Sequence, residues 1–348
     1  MTYAKASPAT PSIETRLTTA FGLRHPFACA GLAFAGMTPP LCIAVAEAGA
    51  MGAFGVGKLP PEAVEASMAA IRAATDGAIN INFITIFTTD EHIALCERLR
   101  PPVVSFHWGH PSKEWINRLK AAGISVWEQV GSVAAAKLAV DDGIDVIIAQ
   151  GSEAGGHNYG SLPIFALLPA IIDAVAPTMV LAAGAIADGR GVAGALALGA
   201  DGVWVGTRMA ATREGDIAAD YKQRLVEAQG EDTVLTSMFG RDASDFNPMR
   251  VLRNAIVKDY AGREHEAPID PQTQPVIGTM PLGSMEMPLH RFSNLVPMSG
   301  ATGDVDQMPL LAGQGVGLIH DLPPAGDVIE TMMADAAARL RALASFSA

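Results

Sequence analysis

A glycine-rich segment that ends in a histidine is the part of this sequence best suited to acid–base chemistry. It runs from Gln150 to His157 and reads QGSEAGGH. Glycines let a backbone approach a flat ligand closely, and an imidazole can take up or release a proton near neutral pH. A single histidine is more often a hydrogen-bonded structural residue than a catalyst, so residue type alone leaves both roles open. The position of His157 after a predicted strand favours catalysis.

Two further histidines, His107 and His110, follow another predicted strand and are expected to face the same ligand. Their spacing is neither HxH nor HExxH, the patterns by which paired histidines hold zinc, so we predict no metal site. Glu153 could act as a second acid or base. We instead expect its carboxylate to hold the glycine-rich loop by accepting hydrogen bonds from backbone amides.

Two loops of small residues, Ala183–Gly189 and Val205–Thr207, have the composition of a phosphate site. Small residues free the backbone amides, and Thr207 adds one hydroxyl, which together are what a phosphate monoester needs. Either loop alone could be an ordinary tight turn between a strand and a helix. Because both follow the last two predicted strands of a βα series, we predict phosphate binding.

Two side-chain amides, Asn82 and Gln150, end predicted strands and could meet the edge of a heterocycle. An amide both donates and accepts hydrogen bonds, which suits the mixed donors and acceptors of such an edge. The alternative for both residues is ordinary hydrogen bonding within a loop.

Short apolar runs alternate with helical patterns up to Thr207, which is typical of βα units around a parallel sheet. Eight such units favour a closed (β/α)8 TIM barrel over an open doubly wound sheet, which gives the same local pattern. The predicted strands are Pro26–Ala30, Gly52–Val56, Ile79–Phe83, Val103–Phe106, Ser125–Gln129, Val146–Ala149, Met179–Ala182 and Gly202–Val205. The predicted helices include Pro61–Ala74, Thr89–Leu99, Lys113–Ala122, Ser132–Asp142, Gly191–Leu198 and one starting at Pro39.

The βα rhythm is lost after Thr207, and we expect a smaller, mostly helical subdomain there. Helices are predicted at Asp216–Gln229, Pro248–Tyr260 and Pro323–Leu343, whereas Gly262–Asp304 shows no periodicity. Loops this long usually pack over a functional face. The expected organisation is an extension (1–24), the barrel (25–216), a capping subdomain (217–310) and a segment returning to the barrel (311–348). Apolar residues expected to cover the barrel mouth are Met280, Leu282, Met285, Met287 and Leu289.

Composition limits the partners of the protein. The chain has 348 residues, 24 Lys plus Arg against 36 Asp plus Glu, and a net charge of −12. Nucleic acid and anionic membrane surfaces need a positive patch, so neither is expected, and a small-molecule substrate is favoured. The three scattered cysteines, Cys29, Cys42 and Cys96, suggest buried thiols. With no signal peptide pattern, we expect a cytoplasmic protein.

Several of these motifs together resemble the nitronate monooxygenase family, formerly called 2-nitropropane dioxygenases. The resemblance rests on the Gln150–His157 loop, on Ala182–Gly189 and on Gly202–Arg208. Val103–Gly109 and Leu311–Gly317 add to it. A similar glycine–histidine loop occurs in flavin-dependent enoyl reductases of fatty-acid synthesis, so the motifs indicate a superfamily and not one reaction.

The resemblance implies an FMN cofactor bound in the barrel. Gly184, Ala185, Gly206 and Thr207 would hold its phosphate, and His157 would be the active-site base. The other implied contacts, which line the cofactor or meet its ring, are Ala30, Gly31, Leu32, Asn82, Gln150, Gly155, Trp204 and Val205.

This sequence departs from the family pattern at two places. The loop after the first strand reads Gly31-Leu32-Ala33-Phe34-Ala35 in place of Pro-Met-Ala-Gly-Gly, which alters one wall of the site. Ala185 stands where the family has a second glycine. That alanine is tolerated only if its φ is negative or if its methyl group has room.

The activity implied by the resemblance is oxidation of alkyl nitronates, or of nitroalkanes, by O2 to a carbonyl compound and nitrite. The first alternative is an NAD(P)H-dependent reductase of an enoyl thioester or quinone, although the negative charge of this chain disfavours an acidic acyl carrier. The second alternative is a flavin-binding protein without turnover. The sequence leaves a homodimer open.

Overall fold

The computed structural model of the protein, which describes residues 13–242, 248–282 and 285–345, contains a closed parallel barrel. All of the first nine strands except β7 pair in parallel, in the order β1-β9-β8-β6-β5-β4-β3-β2. A bridge between Ala28 and Met51 joins β1 to β2 and closes the sheet. The predicted TIM barrel is therefore confirmed. The nine strands are β1 (Phe27–Cys29), β2 (Gly52–Gly55), β3 (Ile79–Ile84), β4 (Val103–His107), β5 (Ser125–Val130), β6 (Val146–Gln150), β7 (Gly156–His157), β8 (Met179–Ala183) and β9 (Gly202–Val205).

Helices follow the barrel strands, and local capping explains where several of them begin. The Ser112 and Ser132 hydroxyls each accept a hydrogen bond from a backbone N–H in the first turn of α5 and α6, and Asp188 does the same for α8. The helices are α1 (Arg16–Phe21), α2 (Pro39–Glu47), α3 (Pro61–Ala74), α4 (Asp90–Leu99), α5 (Lys113–Ala121), α6 (Val133–Asp141), α7 (Ile164–Val175), α8 (Gly189–Ala197), α9 (Thr207–Ala210), α10 (Ala219–Glu227), α11 (Ala255–Asp259) and α12 (Ala325–Ala344).

The last helix completes the ring around the barrel. Strand β9 is followed only by the four-residue α9, and α12 packs against both α8 and α2 in the position left open. Gly189 allows this close packing, because a Cβ there would lie 2.6 Å from the Met332 carbonyl oxygen. The apolar face of α12 is buried as its sequence pattern predicts, including Val328, Ile329 and Met333.

Large side chains fill the amino end of the barrel and leave its carboxyl end free for a ligand. Trp127 and Trp204 meet inside the barrel with ring centroids 6.2 Å apart. Helix α1 covers this end, since Phe21 packs edge-on against Trp127 at 5.3 Å and Leu17 is fully buried. No helix in the described ranges is both long and apolar enough to cross a membrane.

The segment after the barrel is mixed and not mostly helical. Besides α10 and α11 it carries five strands in two sheets, β10-β11-β7 and β13-β12-β14. The helix predicted at Pro248–Tyr260 is wrong over its first half. There Met249 and Val251 are buried on one face while Arg250 faces the other way, which is the period of a strand. The strands are β10 (Thr233–Thr236), β11 (Met249–Leu252), β12 (Val276–Leu282), β13 (Met285–His290) and β14 (Thr302–Gly303).

Strands β12 and β13 form a hairpin within Gly262–Asp304, the stretch whose sequence showed no periodicity. Prolines obscure this hairpin in the sequence, because proline lacks the N–H that a strand ladder uses. Pro288 is tolerated on the edge strand β13. Pro281 lies beyond Gly278 and Thr279, the residues through which β12 pairs with β14, so it removes no bond to that strand.

Candidate active site

One cavity of about 280 Å³ lies at the carboxyl ends of the barrel strands, and every barrel strand or the loop that follows it contributes to the wall. Ligands of TIM barrels bind at this end, because the loops there converge. The structure brings most of the predicted site residues to this cavity. They are Ala30, Gly31, Leu32, Gln150, Gly155, His157, Gly184, Ala185, Trp204, Gly206 and Thr207.

Two predicted cofactor residues, Asn82 and Val205, do not line the cavity. Val205 packs outward in the layer between the barrel and its helices. Asn82 lies directly beneath Gly31, so closely that a Cβ on Gly31 would fall 1.9 Å from the Asn82 Cγ. The Asn82 amide donates to the Ser105 hydroxyl at 2.7 Å, and its Oδ1 is buried without a partner. Asn82 therefore supports the cavity floor and does not form its surface.

The two small-residue loops carry backbone donors that are free to bind an anion. Among the described residues, the N–H groups of Gly184, Ala185 and Gly206 donate to no protein atom. The side chain of Asp188 accepts from the Arg190 and Gly191 amides and so occupies the amino end of α8. The free donors are therefore those of the loops themselves, and they all border the same cavity.

Ala185 adopts a left-handed backbone, with φ of 55° next to Gly184 at 113°. The condition of a negative φ is therefore not met, and the residue carries a strain of roughly 1–2 kcal/mol. Its methyl group has room because it borders the cavity, while Gly315 lies behind it. A Cβ on Gly315 would come within 2.9 Å of the Ala185 carbonyl carbon. The loop thus keeps the shape that glycine would allow.

The returning segment after Leu311 forms part of the site. The Gly313 N–H donates to the Thr207 hydroxyl at 3.0 Å, and the Gln314 N–H donates to the Glu153 carbonyl at 2.9 Å. A Cβ on Gly155 would lie 2.5 Å from the Gly313 nitrogen, so these two loops interlock. In the sequence, Leu311–Gly317 contributes only to the family resemblance. The alternating glycines of that stretch were the signal that could have identified it as part of the site.

The glycine-rich loop is held by hydrogen bonds from several elements. The Glu153 carboxylate accepts from the Ile164 N–H at 2.9 Å, which confirms its expected structural role. The Asn158 amide donates to the Gly151 carbonyl at 3.0 Å, and the Arg250 guanidinium donates to the Ser152 carbonyl at 2.9 Å. This network fixes the backbone that presents His157.

His157 lies at the cavity wall on the two-residue strand β7, which pairs with β11 at Met249. The Gln150 amide donates to its carbonyl oxygen at 3.0 Å. Its imidazole stacks on the Trp108 indole, with ring centroids 3.6 Å apart and planes at 28°. An imidazole in this place can exchange a proton with a ligand in the cavity.

Of the two other histidines expected to face the ligand, one lines the cavity and one does not. His107 lines the cavity with its Nδ1 buried and unpartnered, and burial lowers its pKa to about 4, so the ring is neutral. His110 turns away from the cavity. Its Nδ1 lies 2.8 Å from Glu128 and its Nε2 lies 3.2 Å from Asp142. The expectation that both histidines face the ligand is therefore wrong for His110.

Several polar residues at the cavity were not identified from the sequence, among them Gln129 and Lys58. Gln129, near the end of β5, lines the wall beside Gln150, and Lys58 lies at the mouth. The inward position of Trp127 on the same strand gives the signal for Gln129, because side chains two residues apart on a strand share a face. Lys58 follows β2 in a loop that carries no pattern.

The mouth of the cavity is apolar, and the segment Gly262–Asp304 supplies much of it. The prediction that this segment covers the barrel mouth is confirmed for Met280 and Met287. Leu289 is buried within the hairpin cluster instead, and the side chains of Leu282 and Met285 lie outside the described residues. Other apolar residues at the mouth are Met37, Leu295, Val296 and Met298.

These residues fit the flavin nucleotide that the sequence resemblance implies. The free backbone donors of Gly184, Ala185 and Gly206 suit a phosphate. The Gln129 and Gln150 amides suit the polar edge of a flavin ring, and the small residues of the loops let the backbone come close to a flat ligand. Among the described residues, no group of His, Cys, Asp and Glu side chains could hold a metal ion.

The chain is similar to known proteins in both sequence and structure. The nitronate monooxygenase family model matches residues 81–335. FabK from Thermotoga maritima is similar in structure, with a TM-score of 0.82, 33% identity and coverage of 96% of this chain and 100% of its own. Nitroalkane oxidase from Streptomyces ansochromogenes has a TM-score of 0.76 and 25% identity, covering 94% of this chain and 99% of its own.

A curated relative from Rhodococcus jostii (strain RHA1) has a different name. It is called (3aS,4S,5R,7aS)-5-hydroxy-7a-methyl-1-oxo-octahydro-1H-indene-4-carboxyl-CoA dehydrogenase. This protein is 30% identical to the chain, over 97% of the chain and 99% of the relative. The full length of the chain is therefore similar to proteins named for different substrates.

Proposed function

Because the chain belongs to the nitronate monooxygenase family of flavin-dependent oxidoreductases, we propose that it oxidises alkyl nitronates with O2 to a carbonyl compound and nitrite. The observation that carries the proposal is the position of His157. It lies on the wall of the cavity that the two small-residue loops and the apolar residues of the mouth also border. That arrangement supplies a proton acceptor, an anion site and a place for an alkyl group together.

The cofactor of this proposal is FMN. Gly184, Ala185, Gly206 and Thr207 would hold its phosphate through backbone N–H groups and one hydroxyl, since the nearby Arg208 guanidinium is engaged by Asp321. The contacts to its ring would come from Gln150, Gln129, Gly155 and Trp204, and from residues 30–32. When bound, the flavin supplies the redox chemistry.

The role of His157 depends on the form in which the substrate arrives. A neutral nitroalkane must lose its α-proton, and the imidazole of His157 would accept that proton. A nitronate has already lost it, so His157 would then only donate a hydrogen bond to the nitro group. The methionines and Leu295 at the mouth would surround the alkyl chain and exclude water.

The test compares both substrates on a flavin-replete His157→Asn variant. We expect turnover of the neutral nitroalkane to fall by roughly a hundred- to ten-thousand-fold, the usual effect of losing a general base. Turnover of the preformed nitronate should fall far less, because only an orienting hydrogen bond is lost. His320, an exposed histidine outside the cavity wall, gives the control variant His320→Asn. An equal loss on both substrates would remove His157 as the base.

A second candidate function is oxidation or reduction of a coenzyme A thioester, with NAD(P)H as the electron donor for reduction. The relative that covers the chain almost completely carries a CoA substrate in its name. In addition, the ammonium group of Lys58 at the mouth could pair with a phosphate of such a substrate.

A further inference from the structure

Aromatic side chains form a continuous stack from the cavity mouth to His157. The Lys58 ammonium lies over the Phe87 ring at 4.5 Å, and Phe87 meets Trp108 edge-on at 6.0 Å. Trp108 then lies face to face with the His157 imidazole at 3.6 Å. Trp108 is only 2% exposed, so its ring is confined on several sides. This stack reaches the imidazole from β4, a different element from the strand that carries His157.

The backbone at Trp108 is held in a conformation that bulky residues rarely adopt. Its φ is 56°, and Gly109 follows with φ of 119°. The Thr85 hydroxyl fixes this turn by lying 3.0 Å from the His107 carbonyl and 2.9 Å from the Gly109 carbonyl. A positive φ at a tryptophan is strained, and such strain persists where surrounding structure enforces it. The strain places the indole on His157.

The backbone of His157 is fixed independently of this contact. Strand β11 pairs with it at Met249, and Gln150 binds its carbonyl oxygen. Backbone pairing alone does not set the side-chain torsions that orient the ring. The indole face restricts these torsions by covering one side of the imidazole.

We propose that Trp108 is a positioning residue for His157, which fixes the plane of the imidazole in the cavity and favours its protonated form. The inference rests on the proposed function, in which His157 accepts the substrate proton. An indole face attracts a cation more strongly than other aromatic faces do. Stacking therefore stabilises the imidazolium that forms after proton transfer, and it presents the ring in one orientation throughout the reaction.

Three charged residues around the site have partners of their own among the described residues. Lys58 lies over Phe87, the Arg250 guanidinium binds the Ser152 carbonyl, and the Glu153 carboxylate accepts from the Ile164 amide. His107 on β4 is neutral because burial lowers its pKa to about 4. The indole, in the turn after β4, is therefore the group whose removal should change the titration of His157.

The experiment measures the His157 imidazole directly, by NMR of flavin-replete protein labelled at histidine. His157→Asn identifies the signal. In the wild type we expect the imidazole carbon-bound proton to be displaced by the ring current of the indole. In Trp108→Leu this displacement should vanish, and the titration midpoint should fall by roughly 0.5–1 pH unit. Trp108→Phe should give intermediate values, because a smaller aromatic face remains.

Activity provides the second readout. In Trp108→Leu, turnover of a neutral nitroalkane should fall by roughly ten- to a hundredfold. The acidic limb of its pH–rate profile should move to lower pH, whereas turnover of a preformed nitronate should change little. Trp115→Phe is the matched control, since Trp115 packs on Phe106 outside the cavity. It should behave as the wild type in both measurements.

Two outcomes would overturn the inference, and both differ from a failure of the proposed function. An unchanged His157 midpoint and signal in Trp108→Leu would contradict it. So would a Trp108→Phe variant that loses flavin and activity on both substrates together, which indicates a purely structural tryptophan. If His157→Asn instead keeps full turnover of the neutral nitroalkane, the assignment of His157 as the base fails. The NMR result alone then decides whether Trp108 orients the His157 ring.

Discussion

At the scale of single residues, the cavity depends on contacts between residues that are far apart in the chain. Only glycine fits at position 31, because the Asn82 side chain occupies the place that a Cβ of Gly31 would take. Gly155 faces Gly313 in the same way, and Thr207 receives the Gly313 N–H. Each of these residues joins a loop after a barrel strand to a neighbouring loop, so a change at any of them should disturb the cofactor site before it disturbs the barrel.

Thr207→Glu tests the phosphate position. A carboxylate roughly 4 Å from a phosphate costs on the order of 4 kcal/mol at an effective dielectric constant near 20. We expect flavin affinity to fall by at least about a hundredfold while the melting curve of the flavin-free protein is retained. Thr207→Ser keeps the hydroxyl and should keep the flavin. Flavin content is measured by absorbance after desalting. Unchanged content in Thr207→Glu would show that the phosphate does not bind at Thr207.

Glu128 gives the protein a pH-dependent stability. Burial raises its pKa from 4.5 to about 7, although the neighbouring His110 acts in the opposite direction. The folded state therefore binds more protons than the unfolded state between these values. The resulting stability is complete below pH 4.5 and is lost as pH rises through 7. This loss is on the order of 3 kcal/mol.

The Glu128→Gln variant carries no charge at either pH, so its unfolding free energy should fall less than that of the wild type between pH 4.5 and 8. Urea unfolding across this range is the measurement. Glu97→Gln is the control, since the hydrogen bond from Arg118 lowers the pKa of Glu97. Glu97 is therefore ionised in both the folded and the unfolded state over most of this range, and its removal should leave the pH dependence nearly unchanged. If the unfolding free energies of the wild type and Glu128→Gln changed in parallel with pH, a protonated Glu128 would be contradicted.

Some site residues could be recognised from the sequence because they form local motifs. His157, Gly184 and Gly206 stand in loops whose composition already predicts a ligand. Gln129 and Trp108 could not be recognised in this way. Their roles depend on which strand residues face the barrel interior and on a left-handed turn at Trp108, neither of which leaves a local pattern.

At the scale of elements, the barrel positions the site and the β12–β13 hairpin shapes its entrance. The carboxyl ends of the parallel strands bring the loops together, whereas the hairpin covers the mouth from outside the barrel. The sequence predicts the barrel strands well, because each is a short apolar run bounded by turn residues. It does not predict β11, since four residues next to a helix cap are too few to show a period.

The hairpin methionines should set the preference for long alkyl chains. The variant Met280→Ala with Met287→Ala removes apolar wall, so we expect kcat/KM for a six-carbon nitroalkane to fall by roughly tenfold, with nitroethane changed little. Met308→Ala is the matched control, because Met308 is buried in the same hairpin cluster without lining the cavity. Equal effects on both substrates would show that the hairpin does not contact the chain of the substrate.

At the scale of the whole molecule, the chain returns to the barrel twice after β9. Helix α12 completes the outer ring, and Gly313 and Gly315 enter the cavity wall. The cavity therefore depends on almost the full length of the chain. This chain is similar over most of its length both to a nitroalkane oxidase and to a relative named for a carboxyl-CoA substrate, so its fold does not distinguish the substrates.

The most direct test is anaerobic mixing of the flavin-replete protein with ethyl nitronate, NADH and NADPH in parallel, while the flavin absorbance is followed. We expect the nitronate to bleach the flavin and neither nicotinamide to do so at a comparable rate. Admission of O2 should then restore the absorbance and release nitrite. Rapid bleaching by NADH or NADPH, with no response to the nitronate, would contradict nitronate oxidation and favour a reductase.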